Sequence, residues 1–137
     1  MEWAALITWL ATAGLGFFLL AMWLSRGGMK QSTGIRPFLI LSHFLLAATG
    51  LVIWIAYLAA DNDTLAWIAF VILAVVALLG WTMFAIWYQR RQARGVVTEA
   101  VDPGTPAEQH FPVPVIALHG VLAVTTVVLV LLTALEV

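Results

Sequence analysis

"PFLILSHFLLAATGLVIWIAYLAADND", residues 37–63, opens on a proline, runs to Ala60 without a charged residue, and stops at an acidic turn. A bilayer core of about 30 Å is crossed by roughly 20 apolar residues in a helix. The stretch is long enough to cross one, and its only strongly polar interior side chain is His43. Three further runs of the same kind flank it, at about 3–24, 64–88 and 112–135. None has Asp, Glu, Lys or Arg in its middle. Of the 137 residues, 64% are hydrophobic and 9% are charged, with a mean hydropathy of +1.04. An ordinary soluble domain is roughly 45–50% apolar and about 25% charged. The sequence therefore predicts an all-α integral membrane protein, one domain over 1–137 with four transmembrane helices. Backbone groups in lipid must be satisfied within each segment, which leaves helices for such runs.

The breaks between runs set the direction. All six basic residues lie in two connections: Arg26, Lys30 and Arg36 in one, Arg90, Arg91 and Arg94 in the other. Positive loops stay inside. The loops 25–36 and 89–111 are thus expected in the cytoplasm, with both termini and the 61–63 turn outside, in an inner or plasma membrane. Short connections make successive helices antiparallel neighbours, so an up-down-up-down bundle is expected. The start "MEW" carries an acid where a signal peptide carries basic residues, and the apolar run behind it exceeds an h-region. The first run is therefore read as a retained span.

Several chemistries are excluded. Without cysteine there is no disulfide, iron–sulfur cluster or thiolate metal site. No basic block suits nucleic acid, and no span holds a carboxylate. No HExxH, GxSxG or phosphate-loop pattern occurs.

The halves of the chain repeat one another. "GFFLLAMWLSR" at 16–26 aligns without gaps on "GWTMFAIWYQR" at 80–90, matching Gly16/Gly80, Ala21/Ala85, Trp23/Trp87 and Arg26/Arg90. "HFLLAAT" at 43–49 aligns on "HGVLAVT" at 119–125, matching His43/His119, Leu46/Leu122, Ala47/Ala123 and Thr49/Thr125. The order is the same in both halves, which predicts a duplicated two-helix hairpin with parallel repeats about an axis along the membrane normal.

His43 and His119 then become the candidate site. His43 lies about 9 Å into its helix from Pro37, and His119 about 7–10 Å in from Pro114 and Pro112. In a simple bundle their helices are diagonal, so at matched depth the two imidazoles face each other. Ala47 and Gly50 follow His43 on its face, and Ala123 and Thr126 follow His119. Small residues there would leave a slot for a flat macrocycle, with one imidazole on each side as metal ligand. Trp54 and Tyr57 would close its outer end. A metal-bound imidazole needs an acceptor for its other nitrogen. The carbonyl one turn back, at Leu39 or Val115, is the expected one. Arg36, Arg26 and Arg90 lie at the same end and are candidates for pairing the propionates of a haem.

On these residues the sequence resembles the four-helix, b-type transmembrane cytochromes. These include the ascorbate-reducible cytochromes and the cytochrome b subunits of membrane hydrogenases and formate dehydrogenases. The resemblance implies one haem b ligated by His43 and His119, and electron transfer as a subunit or partner of a redox complex. Quinone is a further candidate partner, although no polar cluster marks its pocket. The outer halves of the helices carry no second histidine pair, so one haem is expected, near the cytoplasmic side.

Two other readings stand beside it. A small accessory subunit without a cofactor would use its smooth apolar faces and seven tryptophans against lipid and partner helices. Trp3, Trp23, Trp67 and Trp87 are expected in interfacial belts in either case. A copper site would combine the histidines with Met22 or Met83, but the repeat pairs Met22 with Ile86 and Met83 with Leu19. His110 reads as a loop residue.

Overall fold

The computed structural model describes residues 1–94 and 104–136. It contains four long helices: α1 Glu2–Ser25, α2 Pro37–Ala60, α3 Asp63–Arg94 and α4 Val113–Glu136. Single 3-10 turns at Gly28–Lys30 and Ala107–His110 lie in the two longer connections. No strand occurs among the described residues. All four helices are long and apolar enough to cross a membrane.

Local chemistry explains the helix ends. Pro37 occupies the first turn of α2, where its missing N–H is not needed. Asp61 ends α2 in the left-handed region at φ 49°, with its N–H on the Tyr57 carbonyl. Asn62 Oδ1 then accepts the Thr64 N–H and starts α3. This two-residue connection leaves no room for anything but an antiparallel hairpin. Hydroxyls inside the spans are satisfied within their own helices. Thr12, Thr49, Thr82, Thr125, Thr126 and Thr133 each donate to the carbonyl four residues back.

α3 runs six residues past its expected end at 88 and carries Arg90, Arg91 and Arg94 in helix. Its basic last turn complements the negative end of the helix dipole. Of the expected cytoplasmic loop 89–111, residues 95–103 lie outside the described residues.

α2 packs chiefly on α3 and α1 on α4, a third seam joins α3 to α4, and α1 touches α2 least. α2 and α4 share no seam and stand diagonally. The partners along α1 and α2 run in opposite directions: Glu2 meets Trp54, Trp9 meets Gly50, and Phe17 meets Phe44.

The core lies at the end of the bundle that holds the termini. Ala5, Trp9, Trp54, Tyr57, Ala66, Ala69, Leu73, Val76, Val130 and Ala134 form one buried cluster. Trp54 is its centre, 4.9 Å from Tyr57 and 6.4 Å from Trp9 between ring centroids. The outside is apolar instead of polar: Phe38, Leu45, Val52, Leu78 and Val121 are all exposed. No more than 17% of the apolar core of any span is buried within the protein. An apolar surface this extensive belongs in lipid or against partner helices.

At the opposite end the two longer connections are tied together. Glu108 is fully buried. Its Oε1 accepts the Ile35 N–H at 2.7 Å, and its Oε2 accepts Gln31 Nε2 at 2.9 Å. Gln31 Oε1 in return accepts the Ala107 N–H at 2.9 Å. Gly34, at φ 97°, lies against this carboxylate, where a Cβ would overlap Glu108 Oε1 and Pro106.

Candidate functional site

Between the terminal core and the tied loops, the interior changes character. In α1 no residue between Trp9 and Trp23 is fully buried, and in α3 none between Val76 and Trp87. In α2 and α4 none before Gly50 and Thr126 is. All four helices therefore share a level at which no residue is fully buried, over about 15 Å of axis at the helical rise. His43 and His119 lie inside this level.

Each histidine is positioned by the first helix of the opposite hairpin. His43, on α2, donates Nδ1–H to the Val76 carbonyl of α3 at 3.0 Å. His119, on α4, donates Nδ1–H to the Thr12 carbonyl of α1, also at 3.0 Å. These carbonyls already accept their own helical bonds, so each imidazole adds a second donor from the side. The approach is possible because the residue four positions on is glycine. A Cβ on Gly80 would stand 3.2 Å from His43 Cε1, and one on Gly16 would stand 3.2 Å from His119 Cε1. The expected acceptors at Leu39 and Val115 are thus replaced by carbonyls on neighbouring helices. A straight helix keeps its own carbonyls along its axis, and the histidine side chains project across the bundle instead.

The two contacts are copies of one another. Gly16 and Gly80 are 64 positions apart, as are Thr12 and Val76, and the histidines are 76 apart. Exchanging α1 with α3 and α2 with α4 carries one contact onto the other, as a two-fold rotation would.

The imidazole centroids lie 6.5 Å apart, with planes inclined at 57°. With both Nδ1 atoms donating to carbonyls, the tautomer is fixed, and each Nε2 carries the free lone pair. Hydrogen bonds of this kind fix the orientation of an imidazole ring. Imidazole–metal bonds are about 2 Å, and a ring centroid lies about 1 Å behind its nitrogen, so rings on opposite sides of one metal have centroids about 6 Å apart. The observed spacing meets this requirement. No cluster of three or more His, Asp or Glu suited to a metal occurs among the described residues.

The remaining expected site residues divide. Ala47 and Ala123 are half-buried, one turn from the histidines. Gly50 is buried with Trp9 and Ile72 packed against it, and Thr126 is buried with its hydroxyl on the Leu122 carbonyl. The space outward of the histidines is thus filled by protein. Arg26 and Arg36 are exposed and Arg90 is half-buried, all at the loop end. His110 is half-buried in its turn, with Nδ1 3.3 Å from the Ala107 carbonyl.

Trp23 and Trp87 depart from the expected belt. Trp3 and Trp67 are exposed as belt residues are, but Trp23 is 0% and Trp87 5% exposed. Trp23 lies flat against Gly28. Trp87 lies beneath the Arg91 guanidinium, 5.4 Å from its ring centroid. Neither indole N–H has an acceptor among the described residues. A buried donor left without an acceptor costs about 1–3 kcal/mol, and here the cost falls on two positions related by the repeat. The matched Trp in the aligned segments was the available sequence signal.

No family model, curated protein or solved structure matches this chain.

Proposed function

We propose that this protein is a membrane-embedded b-type cytochrome that carries one haem b between His43 and His119. One observation supports this reading above the rest: two imidazoles with centroids 6.5 Å apart, each donating Nδ1–H to a helix carbonyl and so keeping the lone pair on Nε2. The residues present fit the group. The level of the histidines holds no fully buried side chain, it is apolar, and the ring would bring the equatorial nitrogens that the protein lacks. Bound there, the haem supplies one-electron exchange. The protein's own part is to hold both imidazoles in one tautomer and to keep water from the metal.

In the same reading the four helices cross the bilayer up-down-up-down and arose by duplication of a hairpin. Both termini and the 61–63 turn face outward, and the basic connections face the cytoplasm. The electron-transfer partner is a subunit of a redox complex or a quinone, reached from the loop end. A cofactor-free accessory subunit is the competing reading. It is favoured by the same hydrogen bonds, which tie α2 to α3 and α4 to α1.

The test is the absorption spectrum of the purified, dithionite-reduced chain. His43→Ala and His119→Ala are each expected to abolish the low-spin haem bands, while His110→Ala keeps them. Equal haem content in all three variants, or none in the wild type, would establish the accessory-subunit reading instead. Orientation is read separately, with single cysteines at Asn62 and Thr105 of this cysteine-free chain. An impermeant thiol reagent added from outside should label Asn62→Cys alone.

A further inference from the structure

The two halves of the chain part company at their loop ends. α1 stops at Ser25, and Gly27, at φ 76°, turns the chain away. α3 continues as helix through the matching positions and carries Arg90, Arg91 and Arg94 on its last turns. Positions 81, 84, 88 and 91 share one helix face. Trp81, Phe84 and Tyr88 on that face are exposed. Ring centroids are 5.8 Å apart for Trp81 and Phe84, and 6.0 Å apart for Phe84 and Tyr88. The face thus passes from an aromatic ladder to the Arg91 guanidinium. Arg90, Arg91 and Arg94 stand about 3–9 Å beyond Tyr88 at the helical rise. The headgroup layer of a bilayer occupies about 5–8 Å outside each face of its hydrocarbon core. In a chain whose spans cross a bilayer, the arginines are at that level.

Two open cavities border these side chains. One, of about 310 Å³, lies among Arg91, Arg94, Thr105 and Gln109. The other, of about 360 Å³, has Thr33, Arg90 and Arg94 in its wall. Arg94 is common to both. Neither is bordered by a carboxylate among the described residues, and none of the three arginines has an ion pair there. Their guanidinium, hydroxyl and amide groups can all donate to an oxyanion. Two of the donors are held in place through Trp87. The Arg91 guanidinium lies over its ring at 5.4 Å, and Gln109 Nε2 donates to its carbonyl at 3.3 Å. A guanidinium fork matches two oxygens of one phosphate. We infer that Arg90, Arg91 and Arg94, with Thr105 and Gln109, bind the phosphodiester headgroup of an anionic phospholipid whose acyl chains lie along Trp81, Phe84 and Tyr88. Free phosphate would meet the same donors, but the exposed aromatic ladder beneath them selects the lipid. This inference rests on the membrane reading of the four spans and is independent of haem.

The experiment is native mass spectrometry of the purified full chain in non-ionic detergent, titrated with phosphatidylglycerol or with phosphatidylcholine of the same acyl chains. Phosphatidylglycerol should be retained at concentrations where phosphatidylcholine is not. Arg90→Gln, Arg91→Gln and Arg94→Gln should each weaken that retention about fivefold. Arg26→Gln and Lys30→Gln remove the same charge at the matching positions of the first half and should leave it unchanged. Equal losses in both sets would mean a general attraction of basic loops for anionic lipid, and would overturn the site. Equal retention of the two lipids would overturn it as well. Displacement of the bound lipid by millimolar inorganic phosphate would identify a free anion as the ligand and overturn the lipid assignment. Should a glutamine variant fail to fold, Arg91→Lys and Arg94→Lys keep the charge and lose the fork. Both are expected to retain less lipid, and wild-type retention in both would overturn the site. Failure of the membrane reading shows separately, as a chain that alkaline carbonate strips from membranes.

Discussion

The two ends of this bundle are built from the same four helices but on opposite principles. At the terminal end, Trp9, Trp54 and Tyr57 meet small partners (Ala5, Ala66, Ala69 and Ala134), and the interior is closed by protein alone. From the histidines to the loops, large side chains are still abundant, yet none is fully buried until Trp23 and Trp87. Apolar content does not separate the two ends. What separates them is how deeply the large residues are buried. Interiors are close-packed when protein alone fills them. The loop-side end holds instead two facing imidazoles and two indoles whose N–H groups have no acceptor among the described residues.

The largest test of that contrast is truncation. Trp54→Ala removes the centre of the closed end and should destabilise the bundle by about 3 kcal/mol. Leu79→Ala removes a half-buried side chain at the level without fully buried residues and should cost under about 1 kcal/mol in the haem-free chain. Unfolding by denaturing detergent measures both. The contrast sharpens if the Leu79→Ala cost rises once haem is loaded. It breaks if the two truncations cost the same in the haem-free chain.

The loop tie is next in size. Glu108→Ala leaves the Ile35 N–H and the Gln31 amide buried without their carboxylate, an expected loss of about 1–3 kcal/mol. Gly34→Ala places a Cβ into that same carboxylate and Pro106 from a left-handed backbone position, so it should be at least as damaging. Glu108→Gln keeps one acceptor oxygen and should fall between wild type and Glu108→Ala. If all three variants matched wild type in thermal stability, the tie would not hold that end closed.

Much of this was legible in the residues, and some was not. The four spans follow from run length and charge, and their observed ends differ mainly at α3, where the arginines extend the helix. Helical spacing identifies the faces of His43 and His119, and the aligned repeats pick out Gly16, Gly80, Trp23 and Trp87. What a one-dimensional pattern lacks is the partner across the seam. The acceptors of the imidazoles lie on other helices, 33 and 107 positions away. The position of Glu108 in the fold was equally hidden. A lone acid in a polar loop has no periodicity, and its burial depends on Gln31 and Ile35 more than 70 positions earlier.

The smallest expected effects come from single carbon atoms, and they test the two-fold relation directly. Gly14 and Gly120 have nothing within 4 Å of where a Cβ would stand. Alanine there should gain the helical preference of about 0.5–1 kcal/mol and leave any haem spectrum unchanged. At Gly16 and Gly80 the same preference applies, but the new Cβ meets an imidazole Cε1 at 3.2 Å. The ring must retreat by a few tenths of an ångström from a carbonyl it bonds at 3.0 Å. The two terms oppose, so Gly16→Ala and Gly80→Ala should be close to neutral in stability and should weaken haem retention. The decisive quantity is their difference. If the hairpins are related by a two-fold, the two variants should agree within about 0.5 kcal/mol, and the double variant should show on each histidine's ring resonances the same effect as the single variant that touches it. Unequal responses would mean that one imidazole is held by its cradle and the other by something else. The two halves would then be similar in sequence but not equivalent in how they hold a ligand.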